Sequence, residues 1–311
     1  MSRLILLLFL ATTLSCGHTI AEEDGTGLTD SGDLNLSSQE FNEYWYSGQA
    51  EITSYTLQQA RYGEIHPGES VLVFVTEDFL LDAQVKKESA TNAPFSPILK
   101  LNRIDRFTTG IYDYSTMLSA FSAVQSDQYE GPIKTTYSSQ DWCGQSWMQL
   151  NKREEGYVAE VRSYFEAEGD KELRLGDVLL EDGLWGQARL NPRQLPQGKL
   201  EILPSSQHIR FHHGGAEIEE ATARLAMEVD EKDGERFIYS LIYENGRELT
   251  MYIQTVFPFR ILGWEEKAMS GWGGSRQMLT TKATMKSSLK SPYWSKNSAS
   301  DVDQRKLLKL D

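Results

Sequence analysis

The feature that most constrains this chain is a period of two. Ala50, Ile52, Ser54 and Thr56 alternate with Glu51, Thr53, Tyr55 and Leu57, in a run rich in β-branched and aromatic types. Successive side chains of a strand point to opposite faces, so the pattern predicts strand rather than helix. The same texture returns in ILKLNRIDRF, GIYDYSTMLSAFSAV, IKTTYSS, SWMQLNKRE and YVAEVRSYFEAE, and later in GQARLNP, KLEILP, LTMYIQTVFP and MLTTKATMKSS. ATARLAMEVD and RFIYSLIYENG flank Asp233-Gly234, which predicts a hairpin, and Asn245-Gly246 predicts the next turn. Helical signals are confined to a piece at 171–184 and to the closing ASDVDQRKLLKL, which Ser300 or Asp301 can cap. Strands and helices do not alternate, which argues against βαβ folds. The expectation is a mainly β body: a large curled antiparallel sheet, a sandwich or a barrel-like form, with a short C-terminal helix. Charges on both faces of most strands argue against an outer-membrane barrel, whose lipid-facing side needs an apolar band.

The first residues read differently. In MSRLILLLFLATTLSC, Arg3 precedes an apolar run from Leu4 to Ala11, and small residues lead to Cys16. That run has the length of a signal-peptide core and is too short to span a bilayer. Thr13, Leu14 and Ser15 before Cys16 resemble a bacterial lipoprotein cleavage box. Residues 1–15 are then a signal peptide, and Cys16 is the lipid-attachment site, carrying palmitate-type acyl chains that each bury methylene groups in the membrane. The alternative is an ordinary secretory signal cut near Ala21, with Cys16 discarded. Residues 16–40 are rich in Gly, Ser, Thr and acids and show no apolar period, as expected of a disordered acidic linker. Gly17 stands where some bacteria place an Asp to retain lipoproteins at the inner membrane, which favours the outer membrane. Residues 41–311 form the folded body, one domain or two packed halves meeting near 200.

Lipidation of Cys16 leaves Cys143 as the one other cysteine, so no disulfide forms, and a lone thiol of an exported protein is expected to be buried. A net charge of −14 argues against a nucleic-acid partner, because phosphate binding needs a cationic surface. From residue 268 onward, however, eight Lys and Arg stand against three Asp; this basic tail is expected to pair with the acidic body or to be solvated, with contact to an anionic envelope polymer or lipid as the alternative.

Several motifs imitate chemistry. Gln140, Cys143, Ser146 and Trp147 resemble the active-site segment of papain-like cysteine proteases, with Ser146 at the nucleophile position. That family's histidine base lies about 130–150 residues downstream, whereas no histidine follows His213 here. The expectation is a strand with Trp142 and Trp147 packed in the core and Cys143 buried beside them. His208, His212 and His213 read as a polar hairpin edge, His208 and His212 sharing a face, with too few ligands for zinc. Asp230 to Glu235 lacks EF-hand spacing and reads as a solvated turn. Gly271-Trp272-Gly273-Gly274-Ser275 has no Gly-Lys-Ser/Thr after it, so it is a loop and no phosphate cradle. No catalytic, metal or cofactor signature emerges. With seven Trp and fourteen Tyr, exposed aromatics such as Tyr44-Trp45-Tyr46 and Tyr293-Trp294 could stack on sugar rings, or could serve as core packing.

The runs FNEYWYSGQAEITSYTLQQARYGE, VFVTEDF, LKLNRIDRFTTGIYDYS, DWCGQSW, NPRQLPQG and PYWSKN are similar to those of an uncharacterised group of bacterial envelope lipoproteins of comparable length. The label septum formation inhibitor Maf, sometimes carried by such proteins, does not fit: Maf enzymes are cytoplasmic α/β proteins with a Ser-Pro-Arg-Arg motif missing here. The resemblance transfers no site residue. Three functions follow, in order of preference. The first is a non-enzymatic envelope lipoprotein that binds or assembles with an envelope protein or glycan. The second is a carrier holding an apolar ligand in a curled sheet. The third is an enzyme acting on envelope polymers.

Overall fold

A computed structural model describes residues 38–124, 131–230 and 234–310. The signal peptide, Cys16 and the linker up to residue 37 lie outside the described residues. A helix, α1 (Ser38–Trp45), begins inside the stretch expected to be linker.

The strands, in chain order, are β1 (Ala50–Arg61), β2 (Glu64–Leu80), β3 (Val85–Lys86), β4 (Phe95–Thr109) and β5 (Tyr112–Ala123). Then come β6 (Lys134–Asp141), β7 (Gly144–Arg153), β8 (Gly156–Ser163), β9 (Lys171–Leu175) and β10 (Leu179–Leu180). Helix α2 (Glu181–Leu190) follows, then β11 (Gly198–Leu203) and helix α3 (Ser206–Phe211). The last are β12 (Glu219–Asp230), β13 (Gly234–Tyr243), β14 (Glu248–Gln254), β15 (Ile261–Ser270) and β16 (Gln277–Ser291).

All sixteen strands belong to one mainly antiparallel sheet, ordered β10-β11-β12-β13-β14-β15-β16-β1-β2-β4-β5-β6-β7-β8-β9, with β3 beside β2. The fold class read from the alternating pattern is therefore correct. The sheet is open, because β9 and β10 form its two edges and do not pair. Yet these edges are consecutive in the chain. Fifteen strands laid flat would measure about 67 Å across, whereas the steps from Leu175 to Leu179 span at most about 14 Å. The sheet must therefore curl almost completely around. Side chains, and no backbone ladder between β9 and β10, seal the seam: Met148, Leu150, Tyr157 and Ala159 on one side pack with Leu180, Leu203 and Ile209 on the other.

The curl is filled by α2, which is buried on all sides from Glu181 to Arg189. This corrects the reading of GQARLNP as strand; of the helix expected at 171–184 only 181–184 is helical, while Lys171–Leu175 and Leu179–Leu180 are strands. Two glycines within ten residues weaken the helical signal by about 1 kcal/mol each. Packing explains one of them: a Cβ at Gly186 would stand 2.3 Å from Ser122 Oγ and 3.0 Å from its Cβ. Around the helix, Trp185 meets Trp264 edge-on at 5.1 Å, and Tyr55 lies 4.9 Å from Trp264. The Arg103 guanidinium stacks on both tryptophans and is held at 2.7 Å by Asp105, itself bonded by Ser70.

Ion pairs fix both ends of α2 with signs that suit its dipole. Near its start, Glu181 takes two 2.6 Å bonds from Arg247 and one from Tyr243. Near its end, Arg189 gives Glu51 two bonds of 2.5 and 2.9 Å. Glu51 also accepts from Tyr44 of α1 and faces Arg260 at 3.4 Å. Burial alone would raise the Glu51 carboxyl, but Arg189 outweighs it and holds the group below the usual carboxylate range.

Outside the curl, the closing segment Ala299–Leu308 forms the expected short C-terminal helix, of the 3-10 type. Leu308 and Leu310 cover Ala50, Ile52, Val73 and Val75, which explains why the first half of β1 is buried on both faces. The basic tail pairs in part with the acidic body, through Lys282 with Glu265 and Lys286 with Glu69. No helix among the described residues is long and apolar enough to cross a membrane.

Candidate functional site

The three histidines are not on a hairpin edge. They sit on and just after α3, because Ser205 Oγ accepts the His208 N–H at 3.1 Å and caps a short helix. The expectation that His208 and His212 share a face survives for a different reason. Residues four apart stack on a helix, and the two rings lie 4.0 Å apart. Helix α3 closes one end of the curl and divides two cavities. Ser206, Ile209 and Arg210 face one; Gln207, His208 and Phe211 face the other. The start of α3 is tied to α2 by Asp182, which accepts from Ser206 N at 3.1 Å and Ser206 Oγ at 2.6 Å. Burial raises the Asp182 carboxyl to about 6, against the two Ser206 bonds and with a smaller push from adjacent Glu181; its second oxygen has no partner among the described residues.

The first cavity, about 300 Å³, lies in the seam. Met148, Val161, Leu173, Ile209 and Ala216 give it apolar walls. Its polar groups are few. The Tyr137 hydroxyl, on a side chain only 2% exposed, makes no hydrogen bond to the described residues. Ser139 is close enough to influence it but is equally unbonded. Burial pushes this phenol well above its ordinary value, so it is a neutral donor. Arg210 donates through Nε to Ser146 Oγ at 2.7 Å and through Nη1 to Glu168 Oε1 at 3.3 Å. Glu168 also faces His213 Nδ1 at 2.6 Å. Lys171 and Glu217 stand exposed at the rim.

The second cavity is a cleft of about 390 Å³, lined by Gln59, Arg61, His208, Glu266, Trp272 and Arg276 among others. Glu266 is not free for acid–base work. Burial alone would raise it, but Arg247 at 2.9 Å and His208 at 3.5 Å hold its carboxyl below the usual range. Burial depresses the His208 imidazole despite that carboxylate. Among the described residues no group of three His, Cys, Asp or Glu side chains could hold a metal ion.

The protease-like segment is a hairpin. Asp141 pairs with Gly144, so Trp142 and Cys143 form its two-residue turn. Asp141 Oδ1 accepts the Cys143 N–H at 2.6 Å, as short acidic side chains do at turns. Cys143 is therefore exposed and Trp142 is 71% exposed, while Trp147 is half-buried. The expected burial of Cys143 and Trp142 was wrong, because turn geometry overrides residue type. Ser146 is buried beneath them as the acceptor of Arg210. Of the aromatic candidates, Trp45 is core, Tyr44 is committed to Glu51, and Tyr46, Tyr293 and Trp294 remain exposed. Gly271 to Ser275 forms a turn on the rim of the cleft. Residues 231–233 of the acidic turn lie outside the described residues.

Sequence reasoning missed Arg61, Tyr137, Glu168 and Arg210. Each sits in an ordinary-looking strand, loop or helix, and only the curl brings them to cavities. No family model, curated protein or solved structure matches this chain.

Proposed function

We propose that the chain is a lipid-anchored protein of the bacterial envelope that binds a small amphipathic molecule in the seam cavity without transforming it. The observation that carries this reading is the pairing of apolar walls with the unpartnered Tyr137 hydroxyl and the Arg210–Ser146 contact. Binding pockets combine a mostly apolar lining with a few convergent polar groups. The interior of the curl cannot serve instead, since α2 fills it. A ligand with an apolar body and a hydrogen-bond-accepting head suits the seam. The head would accept a hydrogen bond from the Tyr137 hydroxyl, and the body would lie against Met148, Val161 and Ile209. An acyl anchor on Cys16 would hold this body at the outer membrane, where amphipathic molecules are at hand.

The test is titration of the purified protein with a dansylated undecanoate. Saturable binding is expected, and Ile209→Trp, which fills the cavity, should abolish it while the melting temperature stays within a few degrees. Absent saturation, or equal binding by a folded Ile209→Trp protein, would overturn the reading. The anchor is tested separately: radioactive palmitate should label the wild type and not Cys16→Ala.

A further inference from the structure

Arg61 is an anomaly of charge. It ends β1 at the α3 end of the curl, is 5% exposed, and has no carboxylate within 4.0 Å among the described residues. A buried charge without a counter-ion is costly, and buried arginines are ordinarily paired. The other deeply buried arginines obey this: Arg103 has Asp105, Arg189 has Glu51, and Arg247 has Glu181 and Glu266. Arg61 has aromatic rings instead. Its guanidinium carbon lies 4.4 Å from the Tyr62 ring centre, 4.6 Å from Phe211, and 5.6 Å from both Tyr114 and Trp272. Nη1 donates to the Phe211 carbonyl at 2.5 Å, and Nε has no partner among the described residues. Two part-buried acids of the same end are committed elsewhere. Asp141 caps the β6–β7 turn and faces Arg210 at 3.9 Å, and Glu266 is held by Arg247.

We infer that the cleft is an anion-binding site, distinct from the seam cavity and separated from it by α3, which takes a carboxylate or phosphate carried on a sugar-like ring. Arg61 supplies the buried cation. Arg276 on the lip adds a second positive charge. The cleft is far larger than an inorganic anion needs, and its other walls suit a ring. Trp272, 55% exposed and flanked by Gly271 and Gly273, offers a flat face at the mouth. Gln59, Gln207 and Thr281 give the cleft a polar floor, Gln59 Nε2 donating to Thr281 Oγ1 at 3.0 Å and Gln207 Nε2 to Gln59 Oε1 at 3.5 Å. The strongly acidic surface elsewhere would confine such a ligand to this cleft.

Calorimetric titration of the intact protein with glucuronate, glucose 6-phosphate and glucose tests this. Glucuronate or glucose 6-phosphate should bind at least tenfold more tightly than glucose, and the stronger of the two identifies the anionic group. Arg61→Met should weaken that binding at least tenfold, and Arg61→Lys, which keeps the charge, should weaken it less. Should Arg61→Met fail to fold, Arg276→Gln, at an exposed position, must still weaken binding severalfold. No binding of either anion at millimolar concentration, equal binding of glucose, or affinity unchanged in both the folded Arg61 and the Arg276 variants would overturn the inference.

Discussion

The ion pair between Arg189 and Glu51 is a sharp test of how α2 is held in the curl. Both side chains are 1% exposed, and two hydrogen bonds join them. Glu51→Gln keeps the volume and an acceptor but removes the charge. Arg189 is then a buried cation with Arg260 as its neighbour, and the expected cost is about 3–5 kcal/mol. Arg189→Met strands the carboxylate less completely, because Arg260 at 3.4 Å and the Tyr44 hydroxyl remain. About 3 kcal/mol is expected, at the low end of the same range. With both changed, neither charge is orphaned, and the double variant should fall short of the sum of the single costs by about 2–3 kcal/mol. Urea unfolding measures all four proteins, and a shifted midpoint at constant slope is the signature. The acid range adds a check. Glu51 has a folded-state value below its unfolded one. Its contribution is therefore complete above the unfolded value of about 4.3 and fades as pH falls through the folded value. The gap between wild type and Glu51→Gln should narrow below about pH 4. Single variants that cost less than about 1 kcal/mol, or a double variant equal to the sum within about 0.5 kcal/mol, would refute the argument.

Asp182 carries the opposite sign. Its carboxyl is raised from 3.8 to about 6, so its contribution is complete below the unfolded value and is lost as pH rises through about 6. Asp182→Asn lacks that loss, so its stability relative to wild type should improve from pH 4 to pH 7 by up to about 3 kcal/mol; a difference that is flat with pH would exclude ionisation at this site. Gly186→Ala drives a methyl into Ser122 and should cost about 1–3 kcal/mol in thermal or urea unfolding. Ser122→Gly in the same chain should recover most of it, and failure of that rescue would place the strain elsewhere.

What the residues reveal in advance follows from the range of the forces involved. Hairpins are local, and Asn245-Gly246 turns where its chemistry demands, with Gly246 at φ 83° and Asn245 Oδ1 accepting the Arg247 N–H at 2.9 Å. Helix α2 was hidden because burial on every side removes the contrast between an apolar and a solvent-facing side: its polar residues Glu181, Asp182 and Arg189 are as buried as Leu184 and Trp185, held by ion pairs and hydrogen bonds. Gly186, explained by Ser122 from a distant strand, reads locally as a helix breaker, as does Gly183. Helix α3 is too short for a pattern, so SQHIRF announces itself only through the Ser205 cap. The cavities depend on the curl, and nothing in the alternation of one strand states how far a sheet of many strands will bend. Cys143 shows the converse: its residue type argued for burial, and the two-residue turn placed it in solvent.

The pairing of β1 with β16 bears on how such a chain can be made. Ala50 pairs with Ser291, almost the full length of the described chain away. A polypeptide emerging N-terminus first would hold one edge of β1 bare until nearly the last strand existed. Contacts this distant in sequence are slow to form, and an unpaired edge invites pairing with another molecule. Were the chain exported unfolded, as proposed above, folding on the far side of the membrane would postpone that hazard. The ladder that joins the two ends of the chain thus has to wait for completed synthesis. The one junction that never becomes a ladder, between β9 and β10, joins neighbours in sequence.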